Sequence, residues 1–559
     1  MRQWTASAAS SPDLEETVTD PNHPYAPSGT ETDGYRLSRG TLLRGAAGAM
    51  VGMSPLLAAA CGGSGGGGSG GTASTGGGKP VRGGTIRAGF VGGGTAETLN
   101  PYAGVTPIDE SRVQNIYDPL FVQNPDLTTS PGLAMEMNAN AEATEYEVKL
   151  RPGVEFHNGK TFGAEDLIYS IRLMAKPANF ASLPFVAGID LNGLKAVNPT
   201  TVRIPLKFPD ADLGANFVYW NTWIVQDGET DFTNPVGTGP FMFESFQPGQ
   251  QSTFKKNPNY WVTGKPYVDG LVIKSIDDNN ARLNALLSGE IDAMAQLPTP
   301  QAKAHQSTGD ITVLIAPSPQ AMMFYMDTTQ APFTDVRVRQ AIRLIADRKA
   351  LVDSAINGFG TVGNDIVGKG LPFYDNDLPQ REQDIDKAKS LLKAAGQENL
   401  KVLLRTSPIF PGFVEAATLL AEQAKAAGVT IQLKQVPPNS YYNPSLLYLK
   451  MAFAETQWPV PSLKFWYLQA LSAQAPYNET HWKDKSWNDL LFKAIGTTDA
   501  TAAQDTWNQV QEIQWNQGGY LNWTNADWVD GVSTKLKGLA PHAGGVLGNY
   551  LFMNAWLTA

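Results

Sequence analysis

Cysteine is almost absent: Cys61 is the one cysteine in 559 residues. A single thiol cannot close an intramolecular disulfide or build a multi-cysteine metal site. Histidine is scarce too, with five residues: His23, His157, His305, His481 and His542. None of them falls in the H-x-x-x-H spacing that sets two imidazoles on one helix face for a metal. Positive charge is not in excess. Forty-three Lys and Arg stand against 53 Asp and Glu, a formal charge of −10. No basic stripe is present, which argues against nucleic acid as a partner. No uncharged stretch reaches the ~20 apolar residues of a membrane span. These absences leave catalysis without a site, and neither a cofactor nor a bound metal is expected.

What is present begins with the surroundings of that cysteine. Arg36, Arg39 and Arg44 lead into the uncharged stretch 45–60, and "PLLAAACGGSGGGGSGG" follows at 55–71. A basic flank, a short apolar segment and small residues at a cleavage point are the parts of an export signal. "LLAAAC" resembles the lipobox of bacterial lipoproteins, which implies thioether lipidation of Cys61 and cleavage just before it. Ala58 stands where that pattern usually has leucine. "LSRGTLLRGAAGA" resembles a twin-arginine signal, but Gly40 replaces the second arginine, so the general secretion route is the fallback. The glycine tract has too little side chain to pack and reads as a flexible linker.

The body is ordinary for a globular chain, at 42% hydrophobic residues, and its length implies two or three domains. Thr85, Ile86, Ala88 and Phe90 read as a strand. Val113, Ile116, Tyr117 and Leu120 recur at helical spacing. Tyr146, Val148 and Leu150 alternate with charges as in a half-buried strand. Pro152-Gly153 and Asn158-Gly159 mark turns, and a helix is expected from Ala164 with Gly163 at its N-cap. "GTGP" at 237–240 precedes a strand and lacks a following Gly-Lys-Ser/Thr, so it is not a phosphate loop. "DVRVRQAIRLIADRKALVDSAINGFG" reads as one long helix. "LKVLLRT", "FVEAATLLAEQAKAAG" and "VTIQLKQV" read as strand, helix and strand, a βαβ unit with parallel strands.

Five stretches then occur in order: "LRPGVEFHNGKTFGAEDLIYSI", "PVGTGPFMFESF", "FKKNPNYW", "VRQAIRLIADRKALV" and "DIDKAKSLLKAAG". Together they resemble the extracytoplasmic solute-binding proteins of peptide/nickel-type ABC importers (family 5, structural cluster C), from about Gly83 to Leu557. The resemblance implies an α/β fold: a two-lobed clamshell of the type II periplasmic-binding-protein kind, with an extra domain inserted in the N-terminal lobe. Expected boundaries are 1–60 export signal, 61–82 lipidated Cys61 and linker, and 83–118 the first part of lobe 1. Then come 119–235 the inserted domain, 236–326 the second part of lobe 1, 327–518 lobe 2 and 519–559 the last part of lobe 1. The crossings between lobes are expected near Tyr325–Thr328 and Gly519–Asn522. The implied function is capture of a peptide-like or other small organic solute for an ABC permease and its ATPase, by a monomer anchored through Cys61 to the outer face of the cytoplasmic membrane. A receptor for a metal chelate or an oligosaccharide, or a ligand sensor not coupled to import, is the alternative, with His481 as the residue that keeps a metal chelate in view.

Nine of thirteen tryptophans follow residue 457, and aromatic walls with few polar groups suit ligand pockets. The expected contacts are Glu455, Gln457 and Trp458, Tyr102 and Thr106 on a loop of the other lobe, Trp223, and Trp523 and Asp527. Many peptide-binding relatives carry an aspartate just after the tryptophan matching Trp458, where it pairs with the peptide's amine. Here Pro459-Val460-Pro461-Ser462 follows. The ligand is therefore expected not to depend on a free α-amino group, with Glu455 as the rival partner for one.

Overall fold

The computed structural model describes residues 78–558, apart from 93, 104–105, 180–181, 220 and 443–446. The expected export signal, Cys61 and most of the linker lie outside the described residues. Two large sheets organise the body. The first has seven strands in the order Ile311–Ala316, Trp528–Ser533, Ala293–Met294, Thr85–Phe90, Gly270–Ser275, Gln251–Lys256 and Phe241–Gln247. The second has six: Gly360–Val362, Tyr520–Ala526, Ala321–Met326, Phe453–Trp458, Lys401–Thr406 and Thr430–Gln435. The βαβ reading meets its strands here. Lys401–Thr406 and Thr430–Gln435 pair in parallel, Val402 opposite Ile431, with helix Phe413–Lys425 between them in sequence.

A smaller four-stranded sheet is inserted in the first lobe. It runs Ala134–Ala139, Glu145–Leu150, Thr201–Pro205, Lys195–Asn198. Tyr146, Val148 and Leu150 are its buried face, and helix Ala164–Met174 covers it through Leu167, Ile168 and Ile171. Gly163 does cap that helix, and the reason is steric. A Cβ there would meet the Pro199 carbonyl at 2.9 Å. Asp166 compensates for the missing cap side chain by accepting from the Gly163 N–H at 2.8 Å. "GTGP" is also a packing device. A Cβ at Gly237 would fall 1.9 Å from the Ile116 carbonyl oxygen. His157 lies against the same segment: its Nδ1 accepts from the Gly237 N–H and its Nε2 bonds the Gly239 carbonyl. Burial pushes that imidazole down to about 4, so it is neutral.

Two expectations need correction. The long helix is two, Val336–Ile345 and Arg348–Ala355. Asp347 accepts from the Ala350 N–H and so caps the second, while Ala346 turns extended. Helical periodicity runs through this break because both halves bury the same kind of face. The crossings also move. The chain leaves the first sheet at Ala316 and enters the second at Ala321, so the first crossing is Pro317-Ser318-Pro319-Gln320. It returns through Asp527 alone, between Ala526 and Trp528. Both strands at these joints are buried along their whole length. Without alternation, the sequence carries no sign of which sheet such a strand serves. The two crossings are tied together: the Ala526 N–H donates to the Gln320 carbonyl at 2.8 Å, and the Ser318 hydroxyl to the Ala526 carbonyl at 2.7 Å.

The inserted domain also reaches the second lobe. Lys464 places Nζ 3.0 and 3.1 Å from the two Asp210 oxygens and donates to the Asp212 carbonyl. Phe465 packs beside it, 4.5 Å from Tyr219 and 5.2 Å from Phe185 between ring centroids. The Ala211 N–H donates to the Ile495 carbonyl at 2.9 Å.

Candidate functional site

A cavity of about 60 Å³ opens where the two crossings meet. Gln296, Leu297, Thr299, Trp528 and Val529 line it from the first lobe. Met322, Ile356, Phe359, Phe410, Pro411 and Gln457 line it from the second, and Gln320, Ala526 and Asp527 belong to the joints themselves. A smaller hollow lies alongside, sharing Gln320 and Trp528 and bounded by Tyr219, Pro459 and Pro461.

Local structure explains who faces the cavity. Phe410 and Pro411 sit on the loop after Lys401–Thr406. Ligands of open α/β sheets gather at such carboxyl ends of parallel strands. Gln457 comes from the end of Phe453–Trp458. Gln296 has a left-handed backbone, φ 55°, a conformation that costs energy for a non-glycine residue. The Asp530 carboxylate holds it there by accepting the Gln296 N–H at 2.9 Å, and it also accepts from the Leu547 N–H.

Among the described residues, Asp527 is the one charged side chain on the cavity. Burial, with no charged neighbour contributing, pushes its carboxyl up to about 6. Its backbone N–H bonds the Phe359 carbonyl. Gln320 lines the same cavity, and its side-chain oxygen is buried without a hydrogen-bond partner.

Of the eight expected contacts, Gln457 and Asp527 line this cavity and the other six do not. Tyr102 is fully buried in the first lobe's core, its hydroxyl donating to the Trp223 carbonyl at 2.8 Å, and Trp223 is buried with it. Thr106 caps helix Pro107–Ile116 in sequence but spends its hydroxyl on Asp109, at 2.6 Å. Trp523 is fully buried in the second lobe's core. Trp458 is buried, and its indole N–H donates to Glu479 at 3.2 Å. Glu455 is fully buried one step below Gln457 on the same strand face. The Thr406 hydroxyl is beside it, yet neither carboxyl oxygen makes a well-formed hydrogen bond. Burial holds its carboxyl well above the usual range.

The sequence reading missed Glu479, which organises the opposite strand face. It accepts from Thr456 at 2.7 Å, Tyr448 and Tyr520 at 3.0 Å, and Trp458 at 3.2 Å. It also missed Gln320, Phe410 and Pro411 as cavity residues. The signal for the last two was available, since the loop after the first strand of a βαβ unit is where such sites form. His481 is not on the cavity; its Nδ1 lies 3.1 Å from Asp327. Among the described residues no group of three or more His, Cys, Asp or Glu is placed to hold a metal ion. No helix among them is long and apolar enough to cross a membrane.

Two lobes joined by paired crossings, with a cavity at the joint, define a clamshell binding protein, and comparison with known proteins agrees. Residues 128–474 match the bacterial extracellular solute-binding proteins, family 5 middle. The chain belongs to this family, whose members deliver captured solutes to ABC importers. The glutathione-binding protein GsiB of Shigella boydii is 24% identical over 477 residues, covering 80% of this chain and 90% of the relative. The periplasmic binding protein DppA from Helicobacter pylori, in complex with peptide STSA, superposes with a TM-score of 0.75 at 22% identity. The match spans 86% of this chain and 99% of that one. NikA from Staphylococcus aureus, in complex with Ni(L-His)2, gives a TM-score of 0.71 at 19% identity, over 82% and 97%.

Proposed function

We propose that this protein captures a small organic solute in the cavity at the joint of its lobes, with Gln457 and Asp527 among the contacts, and passes it unchanged to an ABC permease and ATPase. The observation that carries the reading is the position of the cavity. It is walled by both sheets and by both crossings, so a ligand there touches every part that must move for the lobes to open. We assign the chain no catalysis of its own. It acts as a monomer, exported and held at the outer face of the cytoplasmic membrane through lipid on Cys61.

Trp528 borders the cavity and gives the test. A solute that binds there should change tryptophan emission and compact the molecule in small-angle scattering. Replacing Trp528 by Phe should remove most of the emission change and keep the compaction. A bound solute that leaves the scattering curve untouched would sink the clamshell reading. Recovery of the solute chemically altered would sink the assignment as a binder. Anchoring is tested separately. Cys61→Ala should move the protein from the membrane fraction to the medium or periplasm, and unchanged membrane association would rule the lipid anchor out.

A further inference from the structure

The charge of the cavity is one-sided. Among the described residues, no Lys, Arg or His lines it or the hollow beside it. Asp527 is there, and no side chain or backbone N–H among the described residues donates to its carboxylate. Paired carboxylates elsewhere in the molecule look different. Asp365 has Arg348 at 2.7 Å and Arg381 at 2.6 Å, and Asp210 has Lys464. Gln320, which lines the cavity beside Asp527, brings another acceptor, a buried side-chain oxygen without a hydrogen-bond partner. The walls are apolar and aromatic, with Met322, Ile356, Phe359, Phe410 and Trp528.

Resting on the binding function proposed above, we infer that the ligand is an organic cation with an apolar body, its ammonium or amine paired with Asp527, and that a free carboxylate is excluded from this end of the cleft. The chemistry follows from what the walls lack. A partly desolvated carboxylate gains most from an N–H donor that carries positive charge. The Gln320 oxygen takes a second N–H of the same group. Aromatic faces attract the alkylammonium further. A ligand carboxylate would meet Asp527 with no cation to offset the repulsion. The net charge of −10 favours approach of a cation over an anion as well. The amine partner is thus placed at the second crossing, neither after Trp458 nor at Glu455.

The test uses purified full-length protein and a panel matched in carbon skeleton: phenethylamine, 2-phenylethanol, phenylacetate and L-phenylalanine, with corresponding sets built on isobutyl and indolyl-ethyl bodies. Calorimetry and thermal shift are read up to 5 mM. At least one amine should bind more than about 30-fold tighter than its matched acid, the range expected for one charge-assisted hydrogen bond. Asp527→Asn should cut amine affinity about 30-fold and leave alcohol binding unchanged. Gln320→Leu, which leaves the carboxylate in place, should weaken amines about threefold. The inference is overturned if matched acids or amino acids bind as well as amines, if Asp527→Asn binds amines normally, or if no amine binds at 5 mM. Should an acid compact the protein in scattering while no amine does, the solute-binding function stands and the charge rule alone falls. If no panel member changes scattering or emission, both fall.

Discussion

Glu455 and Glu479 flank the same strand, Phe453–Trp458, and both are fully buried. On one face, Glu479 collects four donors, from Thr456, Tyr448, Tyr520 and Trp458. On the other, Glu455 has neither oxygen in a well-formed hydrogen bond. Burial raises both carboxyls, Glu479 to about 7 and Glu455 well above the usual range. Only the donors around Glu479 oppose that shift strongly. A buried carboxyl group with four donors ties its neighbouring segments together, whereas one without them only fills space. Burial alone therefore does not distinguish structure from function; the inventory of partners does.

The comparison breaks first at Glu479. Glu479→Ala leaves four buried donors without an acceptor, at roughly 1–3 kcal/mol for each group left unpaired. Relaxation reduces the sum, and an overall loss of about 3–5 kcal/mol in urea unfolding is expected. A loss under about 1 kcal/mol would mean the four donors find other partners. Next comes Lys464→Met, which strands Asp210 as a buried charge. About 3 kcal/mol should be lost, and most of it regained in the Lys464→Met, Asp210→Leu double variant, as is usual for buried pairs. Equal destabilisation of single and double variants would show that packing, not charge, holds the inserted domain to the second lobe.

Asp527 follows, through pH. Its folded-state value, about 6, lies above the ordinary ~3.9 of an aspartate. The folded protein therefore holds this proton more tightly than the unfolded chain. The stability it contributes is present below pH ~4 and is lost as pH rises through ~6. Without ligand, Asp527→Asn should match the wild type at pH 4 and exceed it at pH 7. The gain is on the order of 1 kcal/mol once solvent screening is allowed for. Thermal midpoints at the two pH values check the sign, and an unchanged difference between variants would refute it. The smallest effect belongs to Glu455. Glu455→Gln should change stability by less than about 1 kcal/mol, since no well-formed hydrogen bond is lost. A larger loss would reveal a partner for this side chain.

The fold was legible wherever periodicity or steric punctuation wrote it. The alternation of Tyr146, Val148 and Leu150, the βαβ unit at 401–435 and the helix start at Gly163 all carry such marks, whereas the inserted domain was implied only by the family resemblance. The joints were not legible. Ala321–Met326 and Tyr520–Ala526 are buried on both faces, so neither tells by its pattern which sheet it joins, and the crossings were displaced accordingly. The candidate site divided along the same line. Gln457 was expected where a strand ends at a proline-rich break and Asp527 near the second crossing, and both line the cavity. Trp458, Trp523, Trp223 and Tyr102 are buried and do not line the cavity, and an aromatic residue reads alike in a core and in a cleft. Glu479 went unseen because its partners come from residues 448, 456, 458 and 520, which only the folded chain brings together.

The two joints between the sheets differ in one respect that bears on how this molecule can change over evolutionary time. One is a four-residue connection containing two prolines, and the other is the single residue Asp527. Strand side chains alternate with a period of two. An insertion or deletion of one residue at 527 would therefore turn every side chain of Trp528–Ser533 to the opposite face of the first sheet, putting Val529 and Gly531 where Asp530 and Val532 now stand. The Pro317–Gln320 connection has no such parity to keep. Length drift is tolerable on that side of the hinge and forbidden on the other, so the arm that presents the cavity's charged group is also the arm whose spacing descendants of this chain must inherit intact.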